Sequence, residues 1–173
     1  KLTDLAKKPR LILQADYLYL EKDLGYILVI IDSYSRKVQL TYASSANSFH
    51  MSQALLRWRG SFNFLEDFML NTDKACHFSN KLMTFLRNAL KFSQRFTIAN
   101  SPFTHGQMEV MNSPILTNLK QMTHEFDLPV NQWPLLLPII EYVINNSSSR
   151  TRHNFTPIQM FLGVDEAEVK LED

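Results

Sequence analysis

Apolar residues along this chain repeat with two periods, and the switch between them divides it into elements. Residues Arg10 to Leu20 carry a strand-like pattern, and Glu21-Lys22-Asp23-Leu24-Gly25 reads as a turn in which glycine supplies the permissive backbone. Tyr26 to Ile31 is an unbroken, largely β-branched run, the pattern of a strand buried on both faces. Asp32-Ser33-Tyr34-Ser35 turns the chain again, and Lys37 to Tyr42 supplies a third strand. Connections this short predict an antiparallel meander.

The period then lengthens. Caps at Ser44 to Asn47 precede Phe49 to Trp58, where Met51, Leu55 and Trp58 have helical spacing and Gly60 offers a stop. Asp67 to Thr72 is a fourth strand, reached through a helix and therefore expected to run parallel to the first. Asn80 to Leu90 reads as helix and Gln94 to Ile98 as a fifth strand. From Gly106 onward, Met108, Met111, Ile115, Leu119 and Met122 form one stripe, a helix lying on a core. Pro114 lies inside that helix, where it removes a hydrogen bond and predicts a kink. Asn131 to Asn146 reads as a further amphipathic helix, and Thr156-Pro157 opens a short one that ends at Leu162 before Gly163. The sum is an α/β domain whose mixed five-stranded sheet combines the three-strand meander with two parallel strands, flanked by helices. Residues 1–9 form a polar lead-in, 10–163 the domain and 164–173 an acidic tail.

Composition adds limits. With 173 residues, 45% of them hydrophobic, the chain can bury one sizeable core. A single cysteine, Cys76, rules out an internal disulfide or a cysteine zinc cluster and makes a reducing compartment the default. No apolar run reaches the roughly 18 residues of a membrane span, so a soluble protein with no membrane partner is expected. The net charge of +1 neither demands nor forbids nucleic acid. Trp58 and Trp133 read as core or interface anchors rather than base-stacking platforms, and Cys76-His77 as neighbours that do not face one another.

Three acids offer chemistry. Asp16 lies mid-strand, where a carboxylate is costly unless it meets a cation. Asp73 stands where the fourth strand ends, and ligands gather at the carboxyl ends of parallel strands. Glu109 lies on the stripe-bearing helix. Carboxylates suit Mg²⁺, and two cations about 3.5–4 Å apart can activate the attacking oxygen and stabilise the leaving one in phosphodiester chemistry. Asp32 is the rival to Asp16, but its place in a turn argues for a structural role.

The spacing from Asp73 to Glu109 leaves 35 intervening residues (109 − 73 = 36). Together with Ala15-Asp16-Tyr17, the run Tyr26 to Arg36, Thr72-Asp73, Ser101-Pro102, Gly106 to Asn112, Trp133 to Pro138, Asn145-Asn146 and Thr156 to Gly163, it resembles the catalytic core of retroviral and LTR-retrotransposon integrases, most closely the gypsy class. The resemblance implies an RNase H-like fold, with Asp16, Asp73 and Glu109 as catalytic residues and ligands of a two-metal Mg²⁺ or Mn²⁺ site. It implies 3′-end processing and strand transfer of double-stranded DNA, in which element ends and target are the partners. It also implies DNA contacts at His105, Gln107, Asn112 and Lys120, with a solvent-facing loop role the alternative for His105. It further implies a homodimer or higher oligomer and a nuclear location. The chain departs from the family pattern at Lys74-Ala75, Val110 and Ser113. These departures keep open a second reading, a domesticated or decayed core acting as a DNA- or protein-binding and dimerisation module.

Overall fold

A computed structural model describes residues 6–21, 23–62, 67–73, 80–96 and 102–163, with the side chains of 62, 102–107 and 130 outside the described set. Strands β1 (Ile12–Tyr19), β2 (Tyr26–Asp32) and β3 (Val38–Ala43) form the expected meander. Helix α1 (Ser48–Phe62) crosses to β4 (Phe68–Thr72), and α2 (Lys81–Leu90) leads to β5 (Phe92–Phe96). Both β1–β4 and β4–β5 pair in parallel, giving one sheet in the order β3-β2-β1-β4-β5. Helices α3 (Pro102–Glu125), α4 (Leu137–Asn146) and α5 (Pro157–Leu162) complete the chain.

Each sheet face has its own core. Leu13, Ala15, Leu28 and Ile30 pack against Met51, Leu55 and Trp58 of α1, Met83 and Leu86 of α2 and Phe161 of α5. On the opposite face Ile27, Val29, Ile31, Val38 and Leu40 meet Met108, Ile115 and Leu119 of α3 and Leu137, Ile140 and Ile144 of α4. Burial on both sides explains the unalternating run in β2, where Ile27 to Ile31 are all fully buried. The methionine stripe of α3 is packing, as its spacing predicts. Trp58 and Trp133 are buried, one in each core.

Several boundaries move, each for a local reason. Helix α1 runs through Gly60, because core contacts along its buried side hold it; a Cβ at Gly60 would meet nothing, so the residue faces open space. Strand β5 begins at Phe92, earlier than expected, since Lys91 takes the left-handed conformation (φ 53°) and delivers the chain straight into the sheet. There Phe92 stacks on Phe68 at 5.0 Å. The expected helix from Asn131 is two pieces, a 3₁₀ segment (Val130–Leu136) and α4, with Pro134 inside the first and Pro138 in the first turn of the second. Helix α3 starts at Pro102 rather than Gly106 and continues past Pro114. Thr156 caps α5 as its sequence predicts, in a reciprocal capping box with Gln159.

Candidate metal and nucleic-acid site

The strand register sets the level of two of the three acids. Gln14 of β1 lies opposite Asn71 of β4 in the parallel ladder. Continuing that register by two residues brings Asp16 opposite Asp73, the residue after the last of β4. Facing residues of a parallel pair point to the same side of the sheet. For Asp16 that side follows from Val29, its partner on β2, which packs in the α3–α4 core, and from Leu18 and Leu20 on the same face. Helix α3, which packs on β1, lies on this side too. It carries Glu109 next to buried Met108, with the glutamate itself exposed.

Asp16 is half-buried, and its Oδ1 accepts the Tyr17 N–H at 2.8 Å. Asp73 is exposed. By that extension of the register the three acids lie on one side of the sheet, but among the described residues no three His, Cys, Asp or Glu side chains stand close enough together to hold a metal ion.

The chemistry of the surroundings does suit a hard cation. All three candidate ligands offer carboxylate oxygens. Two more oxygens nearby are buried without a hydrogen-bond partner: Asn71 Oδ1, two residues before Asp73 on β4, and Asn112 Oδ1, one helical turn after Glu109. A buried amide oxygen lacking a donor loses about 1–3 kcal/mol, a loss that a water bound to a cation would remove. Neither asparagine oxygen is identifiable as an orphan from sequence, because burial is what makes it one.

The DNA-contact candidates divide. Asn112 is half-buried on α3 and Lys120 is exposed farther along it. His105 and Gln107 fall in the first turns of α3, with side chains outside the described set. Lys74, Ala75, Cys76 and His77 lie outside the described residues, as do 97–101 and the tail 164–173. Among the described residues no helix is long and apolar enough to cross a membrane.

Asp32, the rival acid, is structural. It is fully buried and accepts three bonds: the Arg10 N–H at 2.7 Å, the Ser35 N–H at 2.8 Å and the Ser35 hydroxyl at 2.6 Å. These contacts close the β2–β3 turn and hold the lead-in to it.

A mixed five-stranded sheet with this order and these flanking helices is the RNase H-like fold. Among solved structures, the chain is similar to retroviral integrase cores. The HTLV-2 integrase catalytic core domain in complex with magnesium superposes with a TM-score of 0.73 at 16% identity, over 90% of this chain and 98% of that one. The BIV integrase catalytic core domain gives 0.72 at 16%, over 92% and 98%. A chain of the simian T-cell lymphotropic virus intasome, solved in complex with the PP2A regulatory subunit B56 gamma, gives 0.76 at 18%, over 96% of this chain. The present chain spans 58% of the length of that intasome chain. No protein-family model matches the sequence, and no curated protein matches it. At these identities the likeness establishes the fold.

Proposed function

We propose that this domain is the core of a metal-dependent polynucleotidyl transferase acting on double-stranded DNA, with Asp16, Asp73 and Glu109 holding Mg²⁺ or Mn²⁺. The observation that carries the reading is the shared level of Asp16 and Asp73 on adjacent parallel strands, on the side covered by the helix that bears Glu109. The magnesium complex of the HTLV-2 core supports it by analogy of fold.

When bound, the metals would supply Lewis-acid stabilisation and an activated oxygen nucleophile. The chain's own residues have simpler tasks. Asp16 is oriented by the Tyr17 N–H, Asp73 approaches from the end of β4, and Glu109 completes the oxygen donor set from α3. His105, Gln107, Asn112 and Lys120 would position the DNA backbone along α3, which fits a class of interaction made largely with phosphates. In this reading the reaction belongs to 3′-end processing and strand transfer of a gypsy-class element, in the nucleus and within an oligomer. Disintegration or cleavage of branched DNA in Mn²⁺ tests it: Glu109→Gln abolishes turnover while the domain stays folded, and equal activity in the variant removes Glu109 from the site.

A second reading is that the fold persists as a binding and dimerisation module. One observation favours it: Leu135, Ile139 and Tyr142 are exposed at 68%, 45% and 68% on successive turns leading into and along α4, an apolar stripe on the surface. A wild-type domain that dimerises through this stripe yet neither binds metal nor cleaves DNA would establish this alternative.

A further inference from the structure

Beyond the acids, on the same side of the sheet, a cavity of about 480 Å³ opens between the end of β1, the second half of α3 and the 3₁₀ segment. Its size falls within the range of small-molecule sites, about 300–1,000 Å³. Leu20, Leu24, Leu119 and Trp133 line it. Trp133 and Leu119 are only 4% and 7% exposed, so this floor is anchored in the core rather than folded over by chance. The Trp133 ring is fixed further by an edge-on contact with Tyr42 at 5.5 Å.

The rim has a different character. Lys120 and His124 are exposed on α3 at i and i+4, hence on one side of the helix, and both border the cavity. Neither makes an ion pair among the described residues. Among the described lining residues, Glu21, just past the end of β1, is the one carboxylate. An apolar floor beside two nitrogen donors on one wall is complementary to a flat hydrophobic body that ends in an anion.

We propose that this cavity binds a small aromatic carboxylate, its ring on the Leu20, Leu119 and Trp133 floor and its anionic group against Lys120 and His124. None of the three candidate metal ligands takes part, but Lys120 is shared with the proposed DNA contacts, so the carboxylate and a DNA phosphate would compete for it. A ligand of about 13 non-hydrogen atoms at so open a site would bind with a Kd on the order of 1 mM.

The two tryptophans make the test specific, since Trp58 is buried in the core on the other sheet face and serves as an internal control. Indole-3-acetate is titrated into the isotope-labelled protein while both indole N–H signals are followed by NMR. The Trp133 signal moves saturably and the Trp58 signal does not. Lys120→Glu weakens binding roughly threefold or more, in line with loss of one exposed charge contact, and 3-methylindole, which lacks the carboxylate, binds correspondingly less well. Leu116→Trp, which fills the cavity wall, abolishes the Trp133 shift while an unchanged Trp58 signal shows that the fold is intact. An unmoved Trp133, equal movement of both tryptophans, or equal affinity for the acid and its neutral analogue would overturn the proposal.

Discussion

Asn145 on α4 holds both backbone groups of Val38 on β3: its Oδ1 accepts the Val38 N–H at 2.8 Å and its Nδ2 donates to the Val38 carbonyl at 2.9 Å. Among the described residues strand β3 is a sheet edge, with no strand beside Val38 on its outer side. The next outward-facing residue, Leu40, is served in the same way. Its N–H donates to Glu141 Oε2 at 2.9 Å, and its carbonyl accepts from Arg57 Nη1 at 3.3 Å. Three side chains thus occupy the edge as a further strand would, which protects it from pairing with another chain.

Asn145→Leu removes both bonds to Val38, leaving its N–H without a partner and its carbonyl with only the long 3.5 Å bond from Lys37 Nζ. The expected cost is about 2–4 kcal/mol in urea unfolding. A second effect should accompany it, greater aggregation than in Asn146→Leu, whose Nδ2 bonds only to the Tyr142 carbonyl of its own helix.

Lys37 gives the domain a pH signature. It is buried, with Nζ 4.3 Å from the Trp58 ring centroid and 5.2 Å from that of Phe161. Burial is the main cause that lowers its pKa from 10.5 to about 8, with nearby Glu141 opposing. Between these values the unfolded chain holds the proton and the folded one does not, so stability rises with pH from about 8 toward 10. Below pH 8 the full penalty of the buried ammonium is present. Tyr17 acts in the opposite sense and later: burial raises its phenol from 10.0 to about 12, so its contribution is lost only as pH climbs above 10. Thermal melts of Lys37→Met should lack the rise between pH 8 and 10 and should show equal or greater stability at pH 7, by on the order of 1–3 kcal/mol.

Pro114 lies within the continuous α3, exposed to solvent. It cannot donate to the Val110 carbonyl one turn back, and the 2.8 Å bond from Asn118 Nδ2 goes to the carbonyl of Pro114 itself, so it does not replace the lost one. Pro114→Ala should stabilise the domain by about 1–3 kcal/mol, read from the unfolding midpoint at constant m-value. A loss of stability would show that the proline sets a bend the core requires.

The two early aspartates should separate cleanly. Asp32→Ala breaks three bonds, two of them buried, and should cost about 2–4 kcal/mol. Asp16→Asn should leave the unfolding midpoint within about 1 kcal/mol of wild type, since the amide oxygen can still accept the Tyr17 N–H.

The elements of this fold were legible wherever burial imposes a period. The run Ile27 to Ile31 announced a doubly covered strand, and the spacing of Met108, Ile115 and Leu119 announced a helix on a core. Asp32 was read as structural from its turn. What stayed hidden depends on contacts distant in sequence. The Asn145–Val38 clamp joins residues 107 apart, and no local pattern marks it. The strand reading of Lys37 to Tyr42 did not mark Lys37 as buried, yet its position turns it inward onto Trp58. Gly60 looked like a stop because local propensity said so, and tertiary packing overrode it. For the acids, the pattern supplied the strand and helix on which each lies. Their convergence on cations rests on proximity, which no spacing rule can measure.

The central claim is that Asp16, Asp73 and Glu109 together bind divalent metal, and melting with and without Mn²⁺ tests it most directly. Metal at about ten times its Kd adds about 1.4 kcal/mol, or roughly 3 °C for a chain of this size. The account predicts that rise in the wild-type domain and its loss in Asp16→Asn, Asp73→Asn and Glu109→Gln, each of which stays folded without metal. A wild-type melt unmoved by millimolar Mn²⁺, or variants that gain as much as wild type, would contradict it.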